Sequence, residues 1–172
     1  ADPNAIANTF EIGAGRELYL ECEGTGTPTV LLEAGDESGI EVWQRVMPEL
    51  ADATRTCAYS RAGIGRSVDA TGCRQLDDIL NDLESLLQVA DIAPPYVLVG
   101  ASGGGYLMAG LAARRPADVA GLVLVDTPKA ITIVPPDVAE EVRCDAPRNV
   151  EHRDYAAVEH AVWDHRGPLG AF

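Results

Sequence analysis

The sequence predicts an α/β fold, in which a mostly parallel sheet is flanked by helices. Short apolar runs typical of buried strands alternate with longer stretches whose apolar residues recur at helical spacing. One of these runs leads through Gly100-Ala101-Ser102-Gly103-Gly104 directly into a helical stretch of small residues. Alternation of this kind indicates parallel strands joined by right-handed crossovers.

The amino-terminal elements follow in order. Residues 8–12 and 17–23 indicate two strands, and Gly13-Ala14-Gly15 between them indicates a hairpin. Residues 29–33 (TVLLE) form a third strand, apolar enough to be covered on both faces. Residues 41–51 are predicted to be a helix whose apolar residues lie on one side, namely Val42, Trp43, Val46, Met47 and Leu50.

The clearest periodicity is in residues 74–90, which are predicted to form an amphipathic helix. It follows a strand at 54–59 and a turn-rich loop at 60–72, and Pro94-Pro95 stops the chain from continuing as a helix. The apolar residues of the helix are Leu76, Ile79, Leu80, Leu83, Leu86, Leu87 and Ala90. The next elements are a strand at 96–100, a helix at 105–115 and a strand at 121–125 that ends at Asp126.

The character of the sequence changes after Pro128. Residues 131–136 are apolar but irregular, and residues 137–142 are predicted to be a short helix. Asn149 is a suitable N-cap for a helix reaching about Trp163. We therefore expect residues 1–128 to belong to the core and residues 129–172 to begin a helical cap or lid.

Composition excludes several classes of function. The chain has 172 residues, enough for one domain with a real core, and its net charge of −14 argues against binding to nucleic acid or anionic membrane surfaces. No apolar stretch is long enough to cross a membrane. The residue pattern implies neither a metal nor an organic cofactor.

Four cysteines leave two interpretations open. Cys22, Cys57, Cys73 and Cys144 lack metal-binding spacing, so they are either two disulfides of an exported protein or buried thiols of a cytoplasmic one. Cys73 and Cys144 fall in loop-like sequence, where buried thiols are less expected. We therefore favour a secreted or cell-envelope protein over a cytoplasmic one.

The pattern Gly100-x-Ser102-x-Gly104 between a strand and a helix is typical of a nucleophile elbow. So sharp a turn leaves no room for side chains on either flank of the serine, which explains the two glycines. The serine hydroxyl then stands clear of the sheet, above a helix N-terminus that favours developing negative charge.

Together these residues resemble the α/β-hydrolase superfamily, especially its single-domain esterases, lipases and haloperoxidase-like members. Residues 31–35 (LLEAG) look like the strand and glycine that open the oxyanion loop, and residues 59–67 (YSRAGIGRS) are similar to the family's Y-D-R-x-G-x-G-x-S loop. The elbow strand and the strand after it complete a resemblance over about residues 8–128. Two positions depart from the family, which often has aspartate in place of Ser60 and histidine in place of Ala101.

The resemblance implies an α/β-hydrolase fold and an ester hydrolase in which Ser102 forms an acyl-enzyme. The backbone N–H groups of Gly103 and Asp36 would bind the oxyanion, and Gly35 opens the loop that carries Asp36. Family strand order would also make the strands of Cys22 and Cys57 neighbours, which leaves Cys73 for Cys144.

The acid and the base are harder to assign. Asp126 ends the strand after the elbow, where some family members place the triad carboxylate, although a turn residue before Thr127-Pro128 is the alternative. The family's catalytic histidine follows the last strand, which by the spacing of these elements lies beyond Phe172. We assign no catalytic role to the three histidines, His152, His160 and His165.

The elements therefore predict an incomplete fold, with strand 121–125 as an exposed apolar edge. A second polypeptide segment is expected to supply the remaining strands, the histidine and, unless Asp126 serves, the acid. A small-molecule ester is the expected substrate. Two alternatives remain open: a non-catalytic binding protein on the same scaffold, and an acyltransferase or haloperoxidase-type enzyme that uses the same serine.

Overall fold

A computed structural model describes residues 4–69 and 74–127. Their strands are β1 (Ile6–Gly13), β2 (Arg16–Glu23), β3 (Thr29–Glu33), β4 (Thr56–Ser60), β5 (Tyr96–Ala101) and β6 (Val119–Val125). Their helices are α1 (Met47–Ala51), α2 (Leu76–Val89) and α3 (Gly104–Arg114), and 3₁₀ turns span Ile40–Trp43 and Pro116–Asp118.

The six strands form one sheet in the order β1-β2-β4-β3-β5-β6. β1 pairs antiparallel with β2, and β2 antiparallel with β4, whereas the pairs β3–β4, β3–β5 and β5–β6 are parallel. The predicted mostly parallel α/β sheet is thus confirmed. Because Glu33 is opposite Gly100 and Val125 is opposite Ala101, the segments after β3, β5 and β6 leave the sheet at one edge.

The sheet is covered on both faces by separate apolar clusters. Leu31 of β3 belongs to the cluster under α2 and α3, whereas its neighbours Val30 and Leu32 pack on the opposite face with Trp43 and Met47. This alternation is the two-residue period of a strand with both faces buried. A fully buried leucine contributes roughly 1.5–3 kcal/mol, so the two clusters hold β3 and the segment after it firmly in place.

The predicted helix at residues 41–51 is wrong in its first half. The chain makes a 3₁₀ turn over Ile40–Trp43, and α1 begins only at Met47, with Pro48 in its first turn. Proline cannot donate the helical hydrogen bond to the residue four before it, but it is well suited to a helix start. In consequence Trp43 and Met47 are buried, whereas Val42 and Val46 are 48% and 41% exposed instead of sharing their face.

The other predicted elements from residue 8 to residue 125 exist, with ends that differ by one to two residues. β1 begins at Ile6, β4 begins at Thr56, and β6 begins at Val119. The helices predicted at 137–142 and 149–163, the irregular stretch at 131–136 and the cap at 129–172 lie outside the described residues. So do Cys73 and Cys144, whose pairing the resemblance implied.

One predicted disulfide is confirmed. Cys22 of β2 and Cys57 of β4 are paired in register, are bonded to each other and are fully buried. The bond therefore joins the antiparallel hairpin to the parallel part of the sheet within the core.

β6 is the last strand on its side of the sheet formed by the described residues. Its Val123, Leu124 and Val125 are between 43% and 46% exposed. This is the exposed apolar edge expected from the sequence. No helix within residues 4–69 and 74–127 is long and apolar enough to cross a membrane.

Candidate active site

Ser102 lies in the turn between β5 and α3, and its side chain is exposed. Its φ of +48° is in the left-handed region, where residues other than glycine are uncommon and strained. The Ser102 N–H donates to the Val125 carbonyl at 2.9 Å, and the Ser102 carbonyl accepts from the Gly105 N–H at 3.0 Å. The turn is thus tied to β6 on one side and to α3 on the other.

Close backbone contacts explain the glycines on either side of the serine. A Cβ atom on Gly100 would lie 2.5 Å from the Cα atom of Gly105, and one on Gly104 would lie 2.3 Å from the carbonyl oxygen of Ala34. Neither distance is compatible with a side chain. Gly104 therefore allows the first turn of α3 to approach the segment that follows β3.

That segment runs beside the serine. A Cβ atom added to Gly35 would lie 3.4 Å from Cβ and 3.9 Å from Oγ of Ser102, an ordinary van der Waals separation, so Gly35 lies beside Ser102. Asp36, the next residue, is exposed. Gly103, the residue after the serine, is buried and is the N-cap of α3. The structure therefore brings Gly35, Asp36, Ser102 and Gly103 to the same edge of the sheet.

A buried ion pair that was not singled out from the sequence lies beneath this edge. Glu33 at the end of β3 pairs with Arg61, and their side chains are 1% and 2% exposed. Arg61 also donates from Nη1 to the carbonyl oxygen of Ala34 at 3.0 Å and from Nη2 to that of Gly35 at 2.8 Å. The sequence feature that could have revealed this pair is Glu33, a charged residue at the end of the apolar run TVLLE. A charge in a buried strand requires a partner of opposite charge.

The loop that carries Arg61 is anchored to β2. Ser67 donates from its hydroxyl to the Ser60 carbonyl at 2.6 Å and accepts from the Tyr19 N–H at 2.9 Å. Arg66 stacks over the Tyr19 ring at 4.2 Å and donates to its hydroxyl, which in turn donates to Glu21. Burial, reinforced by the Glu21 carboxylate, raises the pKa of Tyr19, so the hydroxyl remains a donor.

Ser60, which departs from the family's aspartate, occupies a narrow space. Its Oγ would lie only 3.0 Å from a Cβ atom on Gly39 and 3.3 Å from one on Gly65. The small side chain fits between the two glycines, so the departure is accommodated by the local packing.

Asp126 directly follows Val125, whose carbonyl accepts the hydrogen bond from the Ser102 N–H. Its side chain is exposed, and its φ is +50°. It therefore lies at the same edge of the sheet as the serine. His152, His160 and His165 lie outside the described residues. In the part of the chain that is described, no cluster of three or more His, Cys, Asp or Glu side chains is placed to hold a metal.

A groove of about 600 Å³ lies elsewhere, between the ends of α2 and α3. It is lined by Tyr96, which begins β5, whereas Ser102 follows the opposite end of that strand. The groove is therefore separated from the serine by the length of β5, about 20 Å at the usual rise per residue.

The sequence is similar to proteins of a known fold family. Residues 28–157 match the sequence profile of the alpha/beta hydrolase fold family. The chain is 36% identical to YqjL of Bacillus subtilis over 60% of this chain and 41% of that protein. It is 35% identical to 2-hydroxymuconate semialdehyde hydrolase of Pseudomonas sp. strain CF600, over 71% of this chain and 46% of the relative.

Among solved structures, a thermophilic esterase from Thermogutta terrifontis superimposes with a TM-score of 0.67 at 29% identity, covering 81% of this chain and 51% of the esterase. A hydrolase from Pseudomonas aeruginosa superimposes with a TM-score of 0.68 at 22% identity, covering 83% and 52%, and shows a shared fold. The chain thus spans about half the length of these structures, and less than half of the two curated relatives.

Proposed function

Because the chain belongs to the alpha/beta hydrolase fold family, we propose that it is the part of a serine hydrolase that carries the nucleophile and cleaves carboxylic esters through an acyl-enzyme on Ser102. The observation that carries this proposal is the exposed serine at φ +48° between β5 and α3, with Gly35 beside it. Hydrolase chemistry is common to the family, whereas ester cleavage at this serine is our inference.

In the proposed reaction, the Ser102 oxygen attacks the ester carbonyl carbon while a histidine takes the hydroxyl proton. The carbonyl oxygen becomes an oxyanion and accepts hydrogen bonds from the N–H groups of Gly103 and Asp36. Gly35 opens the loop that carries Asp36. The tetrahedral intermediate then collapses, and its bond to the alkoxy oxygen breaks as the protonated histidine gives that oxygen its proton. An alcohol leaves, and the acyl group remains on Ser102. Water hydrolyses the acyl-enzyme by the same sequence and restores the serine.

The identity of residue 102 limits the chemistry. Relatives include a haloalkane dehalogenase that is 32% identical over 63% of this chain. Enzymes of that class and epoxide hydrolases use an aspartate as nucleophile, whereas this chain has Ser102. A serine alkoxide suits acyl transfer, which supports an ester or a similar carbonyl compound as substrate.

The acid and the base of the triad complete the proposal. Asp126 is our candidate for the acid, since it is exposed next to the residue that binds the Ser102 N–H. We propose that the histidine comes from a further polypeptide segment that also covers β6. The exposed β6 side chains and the share of the relatives that the chain spans support such a segment.

A fluorophosphonate probe, which phosphonylates activated serines, tests the proposal on the complete natural polypeptide. We expect labelling at Ser102 in the wild type and none in Ser102→Ala, with unchanged thermal unfolding of the variant. Absence of labelling in the folded wild-type protein would refute the proposal and favour a binding protein on the same scaffold.

We further propose that the protein acts in an oxidising compartment, as a secreted or cell-envelope protein. The buried bond between Cys22 and Cys57 supports this placement, because structural disulfides are rare in the cytoplasm. Free thiol titration of the denatured natural protein, taken directly from its source cells, tests it. Recovery of Cys22 and Cys57 as thiols would instead indicate a cytoplasmic protein.

A further inference from the structure

The guanidinium of Arg61 lies directly beneath the loop that flanks Ser102. Its two terminal nitrogens bind two successive carbonyl oxygens of that loop, those of Ala34 at 3.0 Å and Gly35 at 2.8 Å. Glu33 completes the arrangement by pairing with Nη1. The same planar fork therefore fixes the backbone at two adjacent peptide groups.

Each of these peptide groups also contains an N–H. A trans peptide is planar and directs its N–H opposite to its C=O, and both groups are trans in this protein. By holding the carbonyls of Ala34 and Gly35 towards the core, Arg61 directs the N–H groups of Gly35 and Asp36 away from it. Gly35 lies beside Ser102, since a Cβ atom added to it would be 3.4 Å from the serine Cβ, so these N–H groups belong to the surroundings of the nucleophile.

We propose that Arg61 is the positioning residue of the oxyanion hole, and that Glu33 holds Arg61 in place. This inference rests on the proposed function, since it concerns the same oxyanion. Arg61 does not touch the substrate. It keeps the peptide planes of residues 34–36 oriented while negative charge develops on the substrate oxygen.

The free-energy cost of burying Glu33 and Arg61 favours a positioning role for the pair over a role in stabilising the fold alone. Removing two charges from water is expensive, and apolar residues of similar volume are often as stable. Lysine would supply one compact charge, whereas the arginine fork spans both carbonyls at once. The geometry is therefore best explained by a requirement for backbone orientation.

The test compares Arg61→Lys, Arg61→Met and Glu33→Gln in the complete natural protein, using an ester substrate and a boronic acid. The boronic acid forms a tetrahedral, negatively charged adduct with the serine, and one hydroxyl oxygen of that adduct occupies the oxyanion hole. Arg114→Met is the matched control, because Arg114 is also an ion-paired arginine, bonded to Asp77 and Glu84 at the far end of α3. All rates are divided by the concentration of active sites, measured by fluorophosphonate titration.

We expect kcat to fall about 10–100-fold in Arg61→Met, somewhat less than when an oxyanion donor is deleted, and to recover in part in Arg61→Lys. KM should stay within about twofold, because the interaction strengthens only as the transition state forms. The inhibition constant of the boronic acid should rise by the same factor as kcat falls, whereas Arg114→Met should change neither.

A merely structural role would lower the number of active sites without changing the constants of those that remain. If Arg61→Lys and Glu33→Gln keep the wild-type kcat and boronate inhibition constant, the inference is overturned, even if Arg61→Met fails to fold. If the wild-type protein itself is not labelled by the fluorophosphonate, the proposed function fails first, so the two failures are distinguishable.

Discussion

Substitution of Gly104 by alanine tests the packing of the elbow against the loop after β3. The new Cβ atom would lie 2.3 Å from the Ala34 carbonyl oxygen, 0.7 Å inside the 3.0 Å that real Cβ atoms respect, and 2.8 Å from the Glu33 carbonyl oxygen. These two oxygens are backbone atoms, and a third obstacle at 2.8 Å is Cγ of the buried, ion-paired Glu33. The Ala34 carbonyl is already held by Arg61. The clash is therefore relieved only by moving α3 away from the loop.

Overpacking of this kind typically costs about 1–3 kcal/mol. Alanine recovers at most about 1 kcal/mol of helix propensity, and less at the first position of a helix. We therefore expect Gly104→Ala to lower the free energy of unfolding by about 2 kcal/mol. Since a 1 Å misplacement can cost about 100-fold in rate, we also expect Ser102 labelling by a fluorophosphonate to slow by on the order of tenfold.

Gly110→Ala in the same helix is the control. Its Cβ atom would meet only the terminal methyl groups of leucine side chains, the nearest being Cδ1 of Leu80 at 3.3 Å, so a shift of a few tenths of an ångström in one side chain is enough. The gain in helix propensity of about 1 kcal/mol then outweighs a small adjustment. Urea denaturation and labelling rates should show Gly110→Ala at least as stable as the wild type and equally reactive. Equal stability and reactivity of Gly104→Ala would refute the packing argument.

Two further predictions concern the core and its response to pH. Replacing both Cys22 and Cys57 by alanine removes a cross-link between residues 35 apart in the sequence, which restricts the unfolded chain. We expect urea titrations to show a free energy of unfolding that is lower by about 3–4 kcal/mol. An unchanged urea midpoint would contradict a structural disulfide. Burial raises the pKa of Tyr96 above 10.0, and its hydroxyl donates to the Ile92 carbonyl at 2.7 Å. The unfolded chain therefore loses this proton first, so the stability from Tyr96 is complete below pH 10.0 and is lost as the pH rises through the folded pKa. Unfolding midpoints should fall less steeply above that pH in Tyr96→Phe, and equal slopes would show that this phenol does not contribute.

The strands and the elbow were predictable because local sequence determines them. Residues 29–33 and 96–100 are apolar runs bounded by turn residues, and Gly100 is required by contacts within its own strand–turn–helix unit. Gly104 is required by the segment after β3, and only the G-x-S-x-G pattern indicated it in the sequence. The prediction of a helix over residues 41–51 was wrong in its first half. The apolar residues there have the spacing of one helix face, but Pro48 cannot donate the backbone hydrogen bond that a continuous helix needs.

The ion pair beneath the site shows a different limit. Glu33 and Arg61 are 28 residues apart, and neither has a local pattern that identifies its partner. Their contact depends on β3 and β4 being parallel neighbours, so that Glu33 at the end of β3 and Arg61 just after β4 meet at the same end of the sheet. Spacing along the chain carries no direct information on that neighbour relation. A buried charge in a strand indicates that a partner exists, and only the fold identifies it.

The backbone at position 102 also restricts which nucleophiles this scaffold accepts. At φ +48° a side chain branched at Cβ clashes with its own main chain, so threonine is excluded although it carries the same hydroxyl. Unbranched side chains such as cysteine and aspartate avoid that penalty. Main-chain geometry thus removes the secondary alcohol of threonine from the nucleophiles open to this scaffold, before any chemical requirement applies.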